Sequence, residues 1–264
     1  MKARRVKPAI LSAMILLAAA DLAAARNVPL PRPRPAPPAA AVSPDEPGPP
    51  EEAAPSACRL RLTAALATAP SLPPITGPGE CGAPDVVRLE AVVLPDQNRV
   101  AIAPPAVLRC TMAEAIVSWV REEAAPRAFA LGSSLRTLAN LASFDCRGRN
   151  NILGAKLSEH GRGNALDIRA LRLADGRAVE LTDPQVPKDF REGLRQSVCA
   201  RFTTVLGPGS DGYHEDHVHV DLAERRGGYR LCEWNVREPG DTAVLTDTVP
   251  LPRARPIDAR GAAK

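Results

Sequence analysis

The chain has 264 residues, a formal net charge of +4 and an aromatic content of 3%. Its 34 Lys and Arg residues nearly balance 30 Asp and Glu, so no basic stripe exists and nucleic acid is excluded as a natural partner. Beyond the first 25 residues no apolar run approaches the length that spans a bilayer.

Residues 1–25 read as a secretory signal peptide. Lys2, Arg4, Arg5 and Lys7 form a positive start, Ala9 to Ala20 is apolar but short, and Ala23-Ala24-Ala25 offers a cleavage site. The Arg4-Arg5 pair hints at twin-arginine export, and an uncleaved anchor is the alternative. Cleavage removes four positive charges and Asp21 from the +4 total, leaving about +1. Contact with the membrane is then expected only through the signal peptide, before it is cut.

Residues 26–57 are rich in Pro, Ala and Glu and read as a disordered, semi-rigid linker. Residues 238–264 form a tail of similar character. Val28-Pro-Leu-Pro-Arg-Pro-Arg-Pro35 recurs as Val249-Pro-Leu-Pro-Arg-Ala-Arg-Pro256. The pair is either a shared recognition motif or two independently biased ends.

The folded domain is expected at 58–237. It holds all six cysteines, Cys58, Cys81, Cys110, Cys146, Cys199 and Cys232. An even count in an exported chain, with no zinc-knuckle spacing, implies three disulfides. Val86 to Leu94 and Val100 to Ile102 read as a hairpin across Pro95-Asp-Gln-Asn98. Thr111 to Glu123 reads as a helix, with Thr111 and Glu114 as a capping box and Pro126 as its stop. Phe129 to Leu131 reads as a short strand leading to Arg136. The alternation from Asn164 to Leu173 predicts a strand, Asp175-Gly176 a turn, and Ala178 to Leu181 its partner. Phe190, Leu194, Val198 and Phe202 share one face of a helix over 187–204. His217 to Leu222 reads as a strand with His217, His219 and Asp221 on one side. Helices and hairpins mixed irregularly indicate an α+β domain around a mostly antiparallel sheet with flanking helices.

The chemistry concentrates in two stretches, 157–168 and 213–221. All four histidines lie there: His160, His214, His217 and His219. Imidazole ligates metals and carries protons near neutral pH. His160 and Asp167 flank Gly161 and Gly163, which let the chain curl so that both side chains reach one ion. A catalytic zinc needs three protein ligands and an open position. Spacing leaves open whether His217 or His219 is the third ligand, and the other histidines would serve as base or support. The plain alternative is four histidines clustered by chance.

Ser158-x-His160-x-x-Gly163-x-Ala165-x-Asp167 resembles the SxHxxGxAxD signature of the LAS zinc peptidases, and His217-Val-His219 resembles their HxH motif. His214-Glu-Asp-His217-Val-His219 is similar to the His-Asp-Asp-His-Phe-His string of penicillin-insensitive murein endopeptidases. Closer still is the resemblance to the extensin-like C-terminal family of Gram-negative bacteria. It is carried by Asp145-Cys-Arg147, Ser158-Glu-His160, Gly163-Asn-Ala-Leu-Asp167, Cys199 with Phe202, Val205 to Gly209 and His214 to Leu222. The resemblance implies a hedgehog/D-Ala-D-Ala peptidase-like fold with zinc on His160, Asp167 and His219. It makes His214 the catalytic base, His217 a supporting catalytic histidine, and Ser158 and Arg136 substrate contacts. Here Ser133-Ser-Leu-Arg136 departs from the Ser-Gly-Tyr-Arg of related carboxypeptidases, and Asp216 stands where one branch has Glu. The implied protein is a periplasmic or envelope zinc peptidase, expected to be monomeric, that hydrolyses peptidoglycan stem peptides or cross-links. Its rivals are a zinc-containing wall-binding module that does not cut, and a Pro-rich structural tether.

Overall fold

Runs of β-branched residues near the start of the domain build its longest strands, and the helices are laid against them. The structure is a computed structural model that describes residues 54–240. The expected signal peptide, most of the expected linker and most of the expected tail, with both Val-Pro-Leu-Pro-Arg copies, lie outside the described residues.

In chain order come α1 (Ala57–Arg61), β1 (Ala67–Thr68), β2 (Ser71–Leu72), β3 (Ile75–Thr76), β4 (Gly82–Ala83), β5 (Val86–Val93) and β6 (Arg99–Arg109). Then follow α2 (Cys110–Trp119), a π-helical turn Val120–Ala124, α3 (Ala125–Ala130), β7 (Leu135–Ala142), β8 (Ala165–Leu173) and β9 (Ala178–Glu180). The last elements are α4 (Lys188–Arg201), β10 (Thr204–Leu206), β11 (Val218–Asp221) and β12 (Leu231–Glu233). The main sheet runs β1-β5-β6-β7-β8-β11-β10-β12, with β2 on β5 and β9 on β8. Pairing is antiparallel except at β6–β7 and β10–β12, so the domain is mixed α/β with a mainly antiparallel sheet.

Val87, Leu89, Ile116, Trp119, Leu138, Leu166, Ile168, Leu194 and Val220 lie in one continuous buried core. Trp119 closes the α2–α4 contact: its indole N–H donates to Ser197 Oγ at 2.9 Å, and its ring meets Phe202 edge-on at 6.5 Å. The disulfides are Cys58–Cys110, Cys81–Cys146 and Cys199–Cys232, as the cysteine count implied.

Three local expectations are corrected. Phe129 is helical, because the π turn re-phases the helix and places Pro126 in the first turn of α3, where no N–H is required. The Thr111–Glu114 capping box does not form. Helix α2 starts at Cys110, whose N–H donates to Asp85 O at 2.7 Å, while Glu114 receives the Arg61 guanidinium. Strand β6 runs on through Pro104 and Pro105. Its pairing with β5 shifts between Leu89 and Ala91, so the prolines fall in a bulge that needs no ladder donor.

Candidate metal centre

Antiparallel pairing of β8 with β11 sets His219 directly across from Asp167. His160 comes from a short 3-10 turn, Glu159–Arg162, that precedes β8. Ser158 caps this turn by accepting the His160 N–H, and Gly163 ends it in the left-handed region at φ 62°. A side chain on Gly163 would meet the Arg109 backbone nitrogen at 3.1 Å, so glycine is required there for space as well as conformation. Arg162 reaches from the turn to Glu80, and the Cys81–Cys146 disulfide ties the same hairpin to the segment below His160.

The three side chains meet below the surface, His160 1% exposed, Asp167 4% and His219 6%. His160 Nε2 lies 3.2 Å from Asp167 Oδ1 and 3.1 Å from His219 Nδ1, and His219 Nδ1 lies 2.9 Å from the same oxygen. The outer ring nitrogens are already committed. His160 Nδ1 stands 2.6 Å from the Ser143 carbonyl, which can only accept. His219 Nε2 stands 3.0 Å from Asp221 Oδ2. In its neutral form each imidazole would donate outward and turn its other nitrogen's lone pair inward, toward a carboxylate oxygen. Such a set can hold a cation. One proton can bridge two of the three atoms, whereas a tetrahedral ion with bonds of about 2.0–2.1 Å would hold all three on edges of about 3.3 Å. The donor set fits zinc in type, in number and in spacing.

Without a metal, the site collects positive charge. Burial opposes ionisation of His219, but Asp167 and Asp221 outweigh it and raise the imidazole to about 9. Burial likewise opposes charge on Asp167, but His160 and His219 hold its carboxyl far below the usual range.

His214 and His217 stand beside this centre. The His214 ring is 5.6 Å from that of His219 and 5.0 Å from that of His217. His214 Nδ1 is 2.7 Å from Asp211 Oδ1, which also accepts the Tyr213 N–H at 3.0 Å. Burial pushes His214 below its ordinary value against the pull of Asp211, which favours the neutral imidazole. His217 Nδ1 is 2.9 Å from Asp216 Oδ1, and its Nε2 is 3.7 Å from Asp167 Oδ2.

A cleft of about 300 Å³ opens onto the centre, lined among others by Ser158, His160, His214 and His219. A second hollow of about 290 Å³, around Leu94, Pro126 and Phe129, holds none of the four histidines. Ser158 reaches the cleft wall while spending its hydroxyl on the cap. Arg136 is not brought to the cleft: it is exposed, beside the Leu135–Leu173 pair at the end of β8 opposite Asp167. Arg147 takes that place. Its Nη2 lies 3.9 Å from Asp167 Oδ2, its Nε is held by Asp145 at 3.0 Å, and it lines the cleft. Sequence reasoning noted Asp145-Cys-Arg147 only as part of a resemblance. It also assigned no role to Asp211 or Asp221, whose only signal was a carboxylate two or three residues from a histidine.

A family model described as the extensin-like protein C-terminus matches residues 56–233. The chain belongs to the extensin-like C-terminal family. The match begins at the residue that caps α1 and ends with β12, so it takes in every element of the extensin-like fold and the whole centre. No curated protein and no solved structure matches the chain. Among the described residues no helix of this extensin-like protein is long and apolar enough to cross a membrane.

Proposed function

We propose that this extensin-like domain is an exported, monomeric zinc peptidase of the LAS type, with a hedgehog/D-Ala-D-Ala peptidase-like fold. It would hydrolyse peptide bonds in peptidoglycan stems or cross-links. The supporting observation is the convergence of two imidazole nitrogens and one carboxylate oxygen at 2.9–3.2 Å, with His214 in the adjoining cleft. His160, Asp167 and His219 would hold the ion, which when bound supplies Lewis acidity and a water of lowered pKa. His214 Nε2 takes the proton of the attacking water and returns it to the leaving amine. Asp211 fixes the ring for both transfers and stabilises the imidazolium between them. Arg147 presents a guanidinium where negative charge grows on the substrate carbonyl. His217, whose Nε2 stands 3.7 Å from Asp167 Oδ2, would support the carboxylate beside the oxygen that His219 does not meet. Three disulfides suit an oxidising envelope compartment.

The test is digestion of purified peptidoglycan by the signal-peptide-cleaved protein with zinc, the products read by mass spectrometry. New peptide termini that vanish with chelator support the reading. Zinc-loaded protein that retains wall peptides without cutting them makes it a binding module instead.

A further inference from the structure

The metal centre is backed by a chain of hydrogen bonds that the ligand set does not include. Asp221 Oδ1 receives the Ala223 N–H at 2.9 Å and the Thr204 hydroxyl, leaving Oδ2 for His219 Nε2 at 3.0 Å. Thr204 Oγ1 in turn receives Arg225 Nη2 at 2.6 Å, and Arg225 Nη1 donates to the Thr203 carbonyl at 3.0 Å. Thr204 and Asp221 are buried at 3% and 4% exposure, opposite one another in the β10–β11 register.

The direction of this chain is forced. A guanidinium can only donate, so Thr204 must accept from Arg225 and turn its single proton toward Asp221. Asp221 Oδ1 is then filled by two donors, and Oδ2 is left as an acceptor for His219. His219 Nε2 therefore donates to Asp221, so in the neutral imidazole, the form that can ligate, the lone pair stands on Nδ1, facing His160 and Asp167.

We infer that Thr204 and Arg225 are positioning residues of the metal centre, selecting through Asp221 the His219 tautomer that can ligate. The inference rests on the zinc reading above and deepens it. Arg225 also lines the cleft, so an effect on substrate alone would mark it as a binding residue instead.

The experiment measures zinc affinity by chelator competition, and the visible spectrum of the cobalt-substituted protein, for wild type, Thr204→Val, Arg225→Met and the conservative Thr204→Ser. Loss of such outer support typically weakens binding about 10–100-fold. Thr204→Val and Arg225→Met should show that loss and an altered cobalt spectrum, while Thr204→Ser, which keeps the hydroxyl, should match wild type. Metal-free melting temperatures identify any variant that fails to fold, and Thr204→Ser against Thr204→Val then isolates the hydroxyl. Wild-type affinity and spectrum in both Thr204→Val and Arg225→Met would overturn the inference and leave the zinc centre standing. A wild-type protein that binds neither ion would overturn both.

Discussion

At the scale of single residues, ligand and base are separable. His160→Ala removes one of the three converging donors and should abolish stoichiometric zinc, read by atomic emission. His214→Ala leaves those donors intact, so it should keep near-stoichiometric zinc while peptidoglycan hydrolysis falls on the order of 10²–10⁴-fold. The reverse pattern would mean that the strand presents a different histidine to the ion. Arginine 147 and arginine 136 form a second contrast. Arg147→Met should cost turnover with zinc retained, whereas Arg136→Ala, out on the far end of β7, should change neither. The convergence of His160, Asp167 and His219 was legible because glycines and a strict HxH alternation confine where those side chains can go. Arg147 was less legible, since its place is set by the Cys81–Cys146 bridge and by Asp145 N–H donating to the His160 carbonyl at 3.3 Å. Neither contact is local in sequence.

Among elements, the strands that carry the ligands were readable and the helix junctions were not. The alternation in 164–173 placed β8 almost to the residue but not its phase: a register shift against β7 turns the core side from Leu166 and Ile168 to Leu171 and Leu173. The π turn and the bulge at Pro104–Pro105 depend on what packs above them, and periodicity carries no record of that. The Ser143–Arg147 segment depends on a long-range tie. Its Ser143 carbonyl orients His160, and Cys81–Cys146, closing a separation of 65 residues, anchors it. A double Cys81→Ser, Cys146→Ser variant should lose about 4 kcal/mol on chain-entropy grounds. Thermal melting should show that loss, together with weaker zinc binding. Unchanged zinc affinity would make the bridge a purely global staple. Helix α1, tied to α2 by Cys58–Cys110, is also attached through Asp85, which accepts from Arg59 Nε at 2.8 Å and Ser56 Oγ at 2.7 Å. Burial opposes its charge, yet Arg59 and Ser56 outweigh it and hold the carboxyl below its ordinary value. A depressed carboxyl stabilises the fold above its unfolded value, near pH 4, and the gain disappears as pH falls through the lower folded value. The melting temperature of wild type should therefore exceed that of Asp85→Asn at pH 6 and converge with it in acid. A gap that persists at pH 2 would place the effect elsewhere.

The molecule as a whole joins a disulfide-tied sheet to a buried cluster of imidazoles and carboxylates whose outer ring nitrogens are hydrogen-bonded away from the centre and whose inner nitrogens converge on one carboxylate oxygen. A cation bound among them would take the place of the proton they share, since buried polar groups are stabilised only when partnered. Everything proposed about catalysis depends on which cation does so, and where. Crystals grown with zinc and measured on both sides of the zinc absorption edge give the most direct answer. The account requires one anomalous peak within bonding distance of His160 Nε2, Asp167 Oδ1 and His219 Nδ1, lost in His160→Ala. A peak centred on His214 or His217, or no peak at a zinc concentration that saturates the protein in solution, would contradict it.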